Sequence, residues 1–214
     1  MGLYADAKSI AERDPAARNV WEVILLYPGW KALRDHKTAA WFLKHKMPFI
    51  ARWISQRSSK KTGIEIHPGA KIGNGLFIDH GHGIVIGETA EIGDNCTIYH
   101  QVTLGGTGRT KHKKRHPTVG NNVLIGAGAK ILGPVTIGDN TMIGSGSVVL
   151  DDVPANTTVT GIKARVIKVD GERVAPSLSL EHAKVIDPIA QDITELRKEL
   201  NELRAELEKS RNKE

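Results

Sequence analysis

The chain has 214 residues, of which 40% are hydrophobic and only 5% aromatic, and carries a formal net charge of +6. This composition excludes a disordered chain and suits one domain with appendages, its narrow core built from aliphatic and small side chains. No apolar stretch reaches the ~18 residues of a membrane span. The start Met1-Gly2-Leu3-Tyr4-Ala5-Asp6 lacks a signal-peptide pattern, and the single cysteine excludes an internal disulfide framework, so a reducing cytoplasm is expected.

Residues 1–62 read as a helical domain. Asp14-Pro15 predicts a helix start, since Asp caps and Pro suits the first helical position. Val20, Val23, Ile24 and Tyr27 follow at helical spacing until Pro28-Gly29 stops the run, and two more helices are predicted over 30–46 and 48–59.

Residues 63–168 carry an aliphatic residue at every sixth position. One run is Ile66, Ile72, Ile78, Ile84; a second is Ile86, Ile92, Ile98, Leu104; a third is Val119, Ile125, Ile131, Ile137, Ile143, Val149. The fourth residue after each is usually small, as at Ala70, Ala90, Cys96, Val102, Ala129, Thr141 and Ser147. A period of six fits neither an amphipathic helix nor an ordinary strand; it predicts a parallel β-helix of hexapeptide repeats. Cys96, in a small-residue slot, is expected in the core. The period breaks twice: by two residues between Ile84 and Ile86, and between Leu104 and Val119, where the repeats need only twelve residues. The second surplus falls in 105–117, which is expected to leave the stack as a loop, where function concentrates.

A linker over 169–186 leads to a helix over 187–214. Ile193, Leu200 and Leu207 occupy heptad position a, and Ile189, Leu196 and Leu203 position d. Asp192 and Glu199 lie five residues before Arg197 and Arg204, the spacing that pairs charges between parallel chains, so a parallel coiled coil is expected.

Four blocks carry more specific information: Phe77-Ile78-Asp79-His80-Gly81, Gly87-Glu88-Thr89, Val102-Thr103-Leu104-Gly105-Gly106-Thr107-Gly108 and Arg115-His116-Pro117, preceded by Glu65-Ile66-His67-Pro68. In this order they resemble the serine O-acetyltransferases, which make O-acetylserine from serine and acetyl-CoA for cysteine biosynthesis. The resemblance spans roughly residues 10–167. It implies a mainly β fold, a left-handed parallel β-helix, with acetyl-CoA as cosubstrate and no metal.

The implied chemistry is that of an alcohol attacking a thioester. Such a reaction needs a base with a pKa near working pH, and imidazole supplies one. The resemblance gives that role to His80 and gives the orienting carboxylate to Glu65, where the family commonly has Asp. It places the serine carboxylate on Arg115 and His116, since an Arg can hold a carboxylate through two parallel hydrogen bonds. It places the serine amine on Asp79 and Asp14. Acetyl-CoA is expected along Gly106, Thr107, Ala127, Gly128 and Ser145, the last where the family often has Ala; glycine there lets backbone approach the ligand. Lys111, Lys113 and Lys114 read as a solvated basic loop that attracts the CoA phosphates.

Two alternatives accompany this reading. One is an acetyltransferase for a sugar or another alcohol. The other is a metal-dependent β-helix enzyme of the carbonic anhydrase type, suggested by His80 and His100 stacking twenty residues apart, where the family often has Gln at the second position. A homotrimer is expected, with neither nucleic acid nor membrane as partner. Docking to cysteine synthase uses a C-terminal Ile in the family; this chain ends Lys209-Ser210-Arg211-Asn212-Lys213-Glu214, so that partner is not expected.

Overall fold

The structure, a computed structural model, describes residues 2–107, 113–162, 165–170 and 172–173. The heptad helix over 187–214 and most of the linker before it lie outside the described residues, as does 108–112.

Four helices open the chain: α1 (Leu3–Arg13), α2 (Val20–Leu26), α3 (Pro28–Lys44) and α4 (Pro48–Thr62). The predicted helix start at Asp14-Pro15 is corrected. Asp14 ends α1, its N–H returning to the Ile10 carbonyl. The next helix waits for Asn19, whose side chain accepts from the Glu22 N–H at 2.9 Å, while Glu22 accepts from the Arg18 N–H. This reciprocal cap satisfies free N–H groups, which Asp14 cannot reach. Pro28-Gly29 does stop α2, and it also begins α3, with Pro28 in the first turn where its missing N–H costs nothing. Gly63 ends α4 at a φ of 71° and hands the chain to the solenoid.

The rest winds into five coils. The first holds β1 (Ile64–Ile66), β2 (Lys71–Ile72) and β3 (Phe77–Ile78); the second β4 (Ile84–Ile86), β5 (Glu91–Ile92) and β6 (Thr97–Ile98). The third holds β7 (Thr103–Gly105), β8 (Thr118–Val119) and β9 (Leu124–Ile125); the fourth β10 (Lys130–Leu132), β11 (Thr136–Ile137) and β12 (Met142–Ile143). The fifth holds β13 (Val148–Val149) and β14 (Thr157–Thr160), joined by a bridge at Val153 to Ile137. Like strands stack in parallel into three faces, β1-β4-β7-β10-β13, β2-β5-β8-β11 and β3-β6-β9-β12-β14. An antiparallel pair, β15 (Arg165–Val169) and β16 (Glu172–Arg173), closes the last face. The architecture is the mainly β, left-handed parallel β-helix with N-terminal helices.

The six-residue period is the core. Ile66, Ile86, Leu104, Ile131 and Val149 form one buried column, and the small slots Ala90, Cys96, Val102, Ala129, Thr141 and Ser147 are sealed inside the corners. Each buried aliphatic contributes ~1.5–3 kcal/mol only through its neighbours in the coils above and below. Phe77 departs from this inward role: it joins Ala7, Ile10, Val23 and Trp30 in a separate cluster that seats the first helices on coil one.

The register relocates the first interruption of the period and enlarges the second. Ile84 and Ile86 lie in one strand, both buried, with Val85 outward between them, so no surplus sits there. It lies just before, at the corner between β3 and β4. Asp79 bonds to the Ile98 carbonyl, Tyr99 to Ile125 and Gly126 to Ile143, while Gln101 bonds to His82, Gly128 to His100 and Gly146 to Ala127. The triplet His80-Gly81-His82 therefore fills the place that one residue fills in later coils: His100, Ala127, Ser145. At the opposite corner Ile92 pairs with Val119, twenty-seven residues on, where Val119 pairs with Ile137 after eighteen. Strands β7 and β8 thus flank one corner rather than two repeats. The span 106–117 replaces a three-residue corner, a larger ejection than the sequence predicts.

Candidate functional site

Two groups of the singled-out residues flank the face β1-β4-β7-β10-β13. On the edge facing β3 and β6 stands His80, its backbone left-handed at a φ of 58°. Left-handed φ recurs at the solenoid corners, at Asn95, Gln101, Asn122 and Asn140, so His80 takes the backbone geometry of a corner residue. Gly81 follows at a φ of 60°, and any Cβ there would lie 2.5 Å from Ile64 Cδ1. The inserted turn therefore tolerates only glycine at its base, and it lifts the imidazole clear of the wall. The His80 side chain is 78% exposed, its Nε2 3.8 Å from Asp79 Oδ1. The His100 ring lies edge-on to it at 6.2 Å between centroids, with a buried Nδ1 that no group among the described residues bonds.

Asp79 is held by its N–H on the Ile98 carbonyl. Asp14, on the link between α1 and α2, is brought to this same edge. Its Oδ2 accepts from the Tyr27 hydroxyl at 2.6 Å and its Oδ1 from the Ala16 N–H at 2.8 Å. The Tyr27 hydroxyl is pushed up to about 12, by burial first and then by its bond to Asp14, with the charges of Asp14, Glu22 and Asp79 adding. Asp14 and Asp79 thus place two carboxylates near one hydroxyl.

On the opposite edge the returning loop is caught by Gly87-Glu88-Thr89, and here the structure supplies physical reasons that sequence reasoning did not. Thr89 Oγ1 accepts from the N–H groups of Arg115 and His116 at 3.1 and 3.2 Å. The Thr89 N–H donates to His116 Nδ1 at 3.1 Å, so the neutral ring carries its proton on Nε2. A Cβ on Gly87 would lie 2.0 Å from His116 Cδ2, and one on Gly106 would lie 2.9 Å from Nε2. His116 is 6% exposed in this slot, and burial first, then Arg115, pushes its pKa down. Arg115 pairs with Glu88 at 3.2 Å. His67, one coil below, is likewise pushed down, chiefly by burial and then by Arg52. Glu88 and His67 join this edge beside the expected pair; their sequence signal is their place inside the Gly-Glu-Thr and Ile-His-Pro blocks.

Glu65 stands between the edges, half-buried on β1 beside Val85. No hydrogen bond joins it to His80 among the described residues. Gly106 and Thr107 lie exposed at the loop neck, where the Thr107 N–H donates to the Arg115 carbonyl at 3.2 Å. Ala127, Gly128 and Ser145 stack above the His80 edge instead, and Ala127 and Ser145 line a groove of ≈ 240 Å³ with Tyr99, Met142 and Thr158. The basic loop is only partly solvated: Lys114 donates to the Thr89 carbonyl at 2.7 Å and meets Glu91 at 3.5 Å, while Lys111 lies outside the described residues. Among the described residues no three His, Cys, Asp or Glu side chains converge as a metal site would require. No helix among them is long and apolar enough to cross a membrane.

Residues 116–151 match the bacterial transferase hexapeptide family model of six repeats. The serine acetyltransferase of Synechococcus elongatus is 53% identical over 206 residues, covering 96% of this chain and 83% of that protein. The chain belongs to the serine acetyltransferase family. Two solved serine acetyltransferases share its fold. That of Brucella abortus in complex with coenzyme A is 45% identical with a TM-score of 0.75, covering 77% of this chain and 66% of that one. That of Neisseria gonorrhoeae in complex with serine is 41% identical with a TM-score of 0.75, covering 78% and 67%. The family blocks fall on the ejected turn, the loop neck and the Thr89 catch, the parts of the solenoid that the hexapeptide period does not explain.

Proposed function

We infer that this chain is a serine O-acetyltransferase, moving acetyl from acetyl-CoA to the L-serine hydroxyl to give O-acetylserine for cysteine biosynthesis. Family membership across nearly the whole chain carries the inference. His80 is the base: its exposed imidazole takes the hydroxyl proton as the serine oxygen attacks the thioester carbon. The tetrahedral adduct collapses, the C–S bond breaks, and the proton on His80 passes to the departing CoA sulfur. Glu65 is the carboxylate that orients the ring and offsets its transient charge. Asp79 and Asp14 take the serine ammonium; Arg115 and His116 take the carboxylate, with Glu88 and Thr89 holding both in place. Acetyl-CoA lies along the groove past Ala127, Gly128 and Ser145, its reactive end at His80, where Gly106 and Thr107 of a neighbouring chain meet it.

A homotrimer completes this site. His80 and Arg115 stand at opposite edges of one face, roughly 20 Å apart at ~3.3 Å per residue, whereas serine spans only about 5 Å. One chain therefore offers the hydroxyl and ammonium end, and a neighbour offers the carboxylate end. A three-sided rod packed about a threefold axis repeats that contact three times and closes. A cytoplasmic setting agrees with the buried free thiol of Cys96.

The test is CoA release from acetyl-CoA with L-serine and a panel of other alcohols, with His80→Ala alongside. Serine-dependent release that the variant abolishes is expected. Release with a sugar but not serine would overturn the substrate, and equal release by the variant would overturn the base.

A further inference from the structure

Asp14 is the one member of the proposed serine site that the β-helix does not carry. It sits on an irregular link, where a carboxylate holds its aim only if neighbouring groups anchor it. Two sets of contacts do so. Arg13, the preceding residue, turns its guanidinium onto the wall, donating to the carbonyls of Gly75 in coil one and of Asn95 and Cys96 in coil two, the last two at 3.1 and 3.4 Å. It also lies 5.5 Å over the ring of Phe77, two residues before Asp79. Tyr27, between α2 and α3, bonds Asp14 Oδ2 directly.

The charge pattern matters as much as the contacts. Arg13 spends its donors on backbone carbonyls and the Thr97 hydroxyl and forms no ion pair with Asp14. The groups that bond the carboxylate, the Ala16 N–H and the Tyr27 hydroxyl, are both neutral. Asp14 is thus oriented by neutral donors with no cation paired to it among the described residues, which suits a group that must meet an ammonium. The hydroxyl stays protonated far above neutral pH, so the bond persists under working conditions.

We propose that Arg13 and Tyr27 are positioning residues that hold Asp14 beside Asp79 as the second carboxylate for the substrate ammonium. The proposal rests on the serine acetyltransferase reading above. It makes this clamp a determinant of specificity: an acceptor such as 3-hydroxypropionate, serine without its ammonium, gains nothing from it.

The experiment is a double-substitution cycle on the full chain, read as KM for serine, KM for acetyl-CoA and kcat. Tyr27→Phe keeps the ring and removes the donor; a roughly five- to tenfold rise in serine KM is expected, with kcat and acetyl-CoA KM within about twofold. Arg13→Gln is expected to act in the same direction, with Arg13→Lys partly restoring serine KM. In the Asp14→Asn background, Tyr27→Phe is expected to add nothing, and discrimination against 3-hydroxypropionate falls in each variant. Additive effects, or acetyl-CoA KM rising in step with serine KM, would overturn the clamp and leave a structural role. Unchanged serine KM in Asp14→Asn would overturn it by removing Asp14 from the amine site. Failure of the wild-type chain to release CoA with serine would instead sink the functional reading itself.

Discussion

The two edges of the β1-β4-β7-β10-β13 face are built on opposite plans. At the His80 edge an inserted turn stands free of the stack, and the imidazole is open to solvent. At the Arg115 edge a long ejected loop is pulled back onto the wall, with Thr89 accepting two N–H groups and His116 wedged between two glycines. The contrast follows from the tasks proposed for each. A base must exchange protons with a reacting hydroxyl and be reached by a second chain, so it stands out. A carboxylate-binding pair gains from being locked in place beforehand, since ordering it at the moment of binding would cost side-chain entropy.

The largest expected effect breaks the exposed edge: His80→Ala should lower kcat by roughly 10²–10⁴ while melting behaviour stays unchanged. Next, mixing chains tests whether the two edges meet across copies. His80→Ala and Arg115→Ala chains, each nearly inactive, should recover about a quarter of wild-type sites when refolded together in equal amounts; no recovery would place both edges of a site in one chain. Third, Gly87→Ala pushes a methyl into the His116 ring. It should raise serine KM about tenfold and destabilise by ~1–3 kcal/mol, whereas a surface change such as Lys31→Ala moves neither. The last effect, on stability and not on activity, lies away from both edges, on α3. His36 is 6% exposed, its Nδ1 unbonded among the described residues, and burial holds its pKa down at about 4. The unfolded chain takes up that proton below the ordinary value of about 6.5, so stability is intact above it and lost as pH falls toward 4, by up to ~3 kcal/mol. Melting temperature against pH should flatten in this window in His36→Gln; an unchanged slope would assign the acid loss elsewhere.

Legibility in the sequence varied with how local the determinant is. The small slots announced themselves because each corner can enclose only a small side chain, and that constraint recurs every six residues. Asp14 misled because Asp-Pro is a local cap signal, while the helix that forms there takes its cap from Asn19. The two-residue surplus was visible as a number but misassigned, since Ile84 and Ile86 both point inward and only the ladder from Asp79 to Ile98 and from Gln101 to His82 places it. Glu88 and Thr89 have no signal of their own. Their work depends on a loop that leaves after Gly105 and returns twenty-six and twenty-seven residues beyond Thr89, at Arg115 and His116.

The amino-acid order by itself determined the solenoid, its columns and the family, because a repeating core is specified one coil at a time by short-range pattern. Which residues share an edge was decided only in three dimensions. Helix packing and the Tyr27 hydroxyl bring Asp14 to the edge of Asp79, while strand registers bring Arg115 to Glu88 and part His80 from Arg115 by the width of a face. That separation is a property of the wound chain, set by three short strands to a coil, and it underlies the proposal that a site is shared between neighbouring chains.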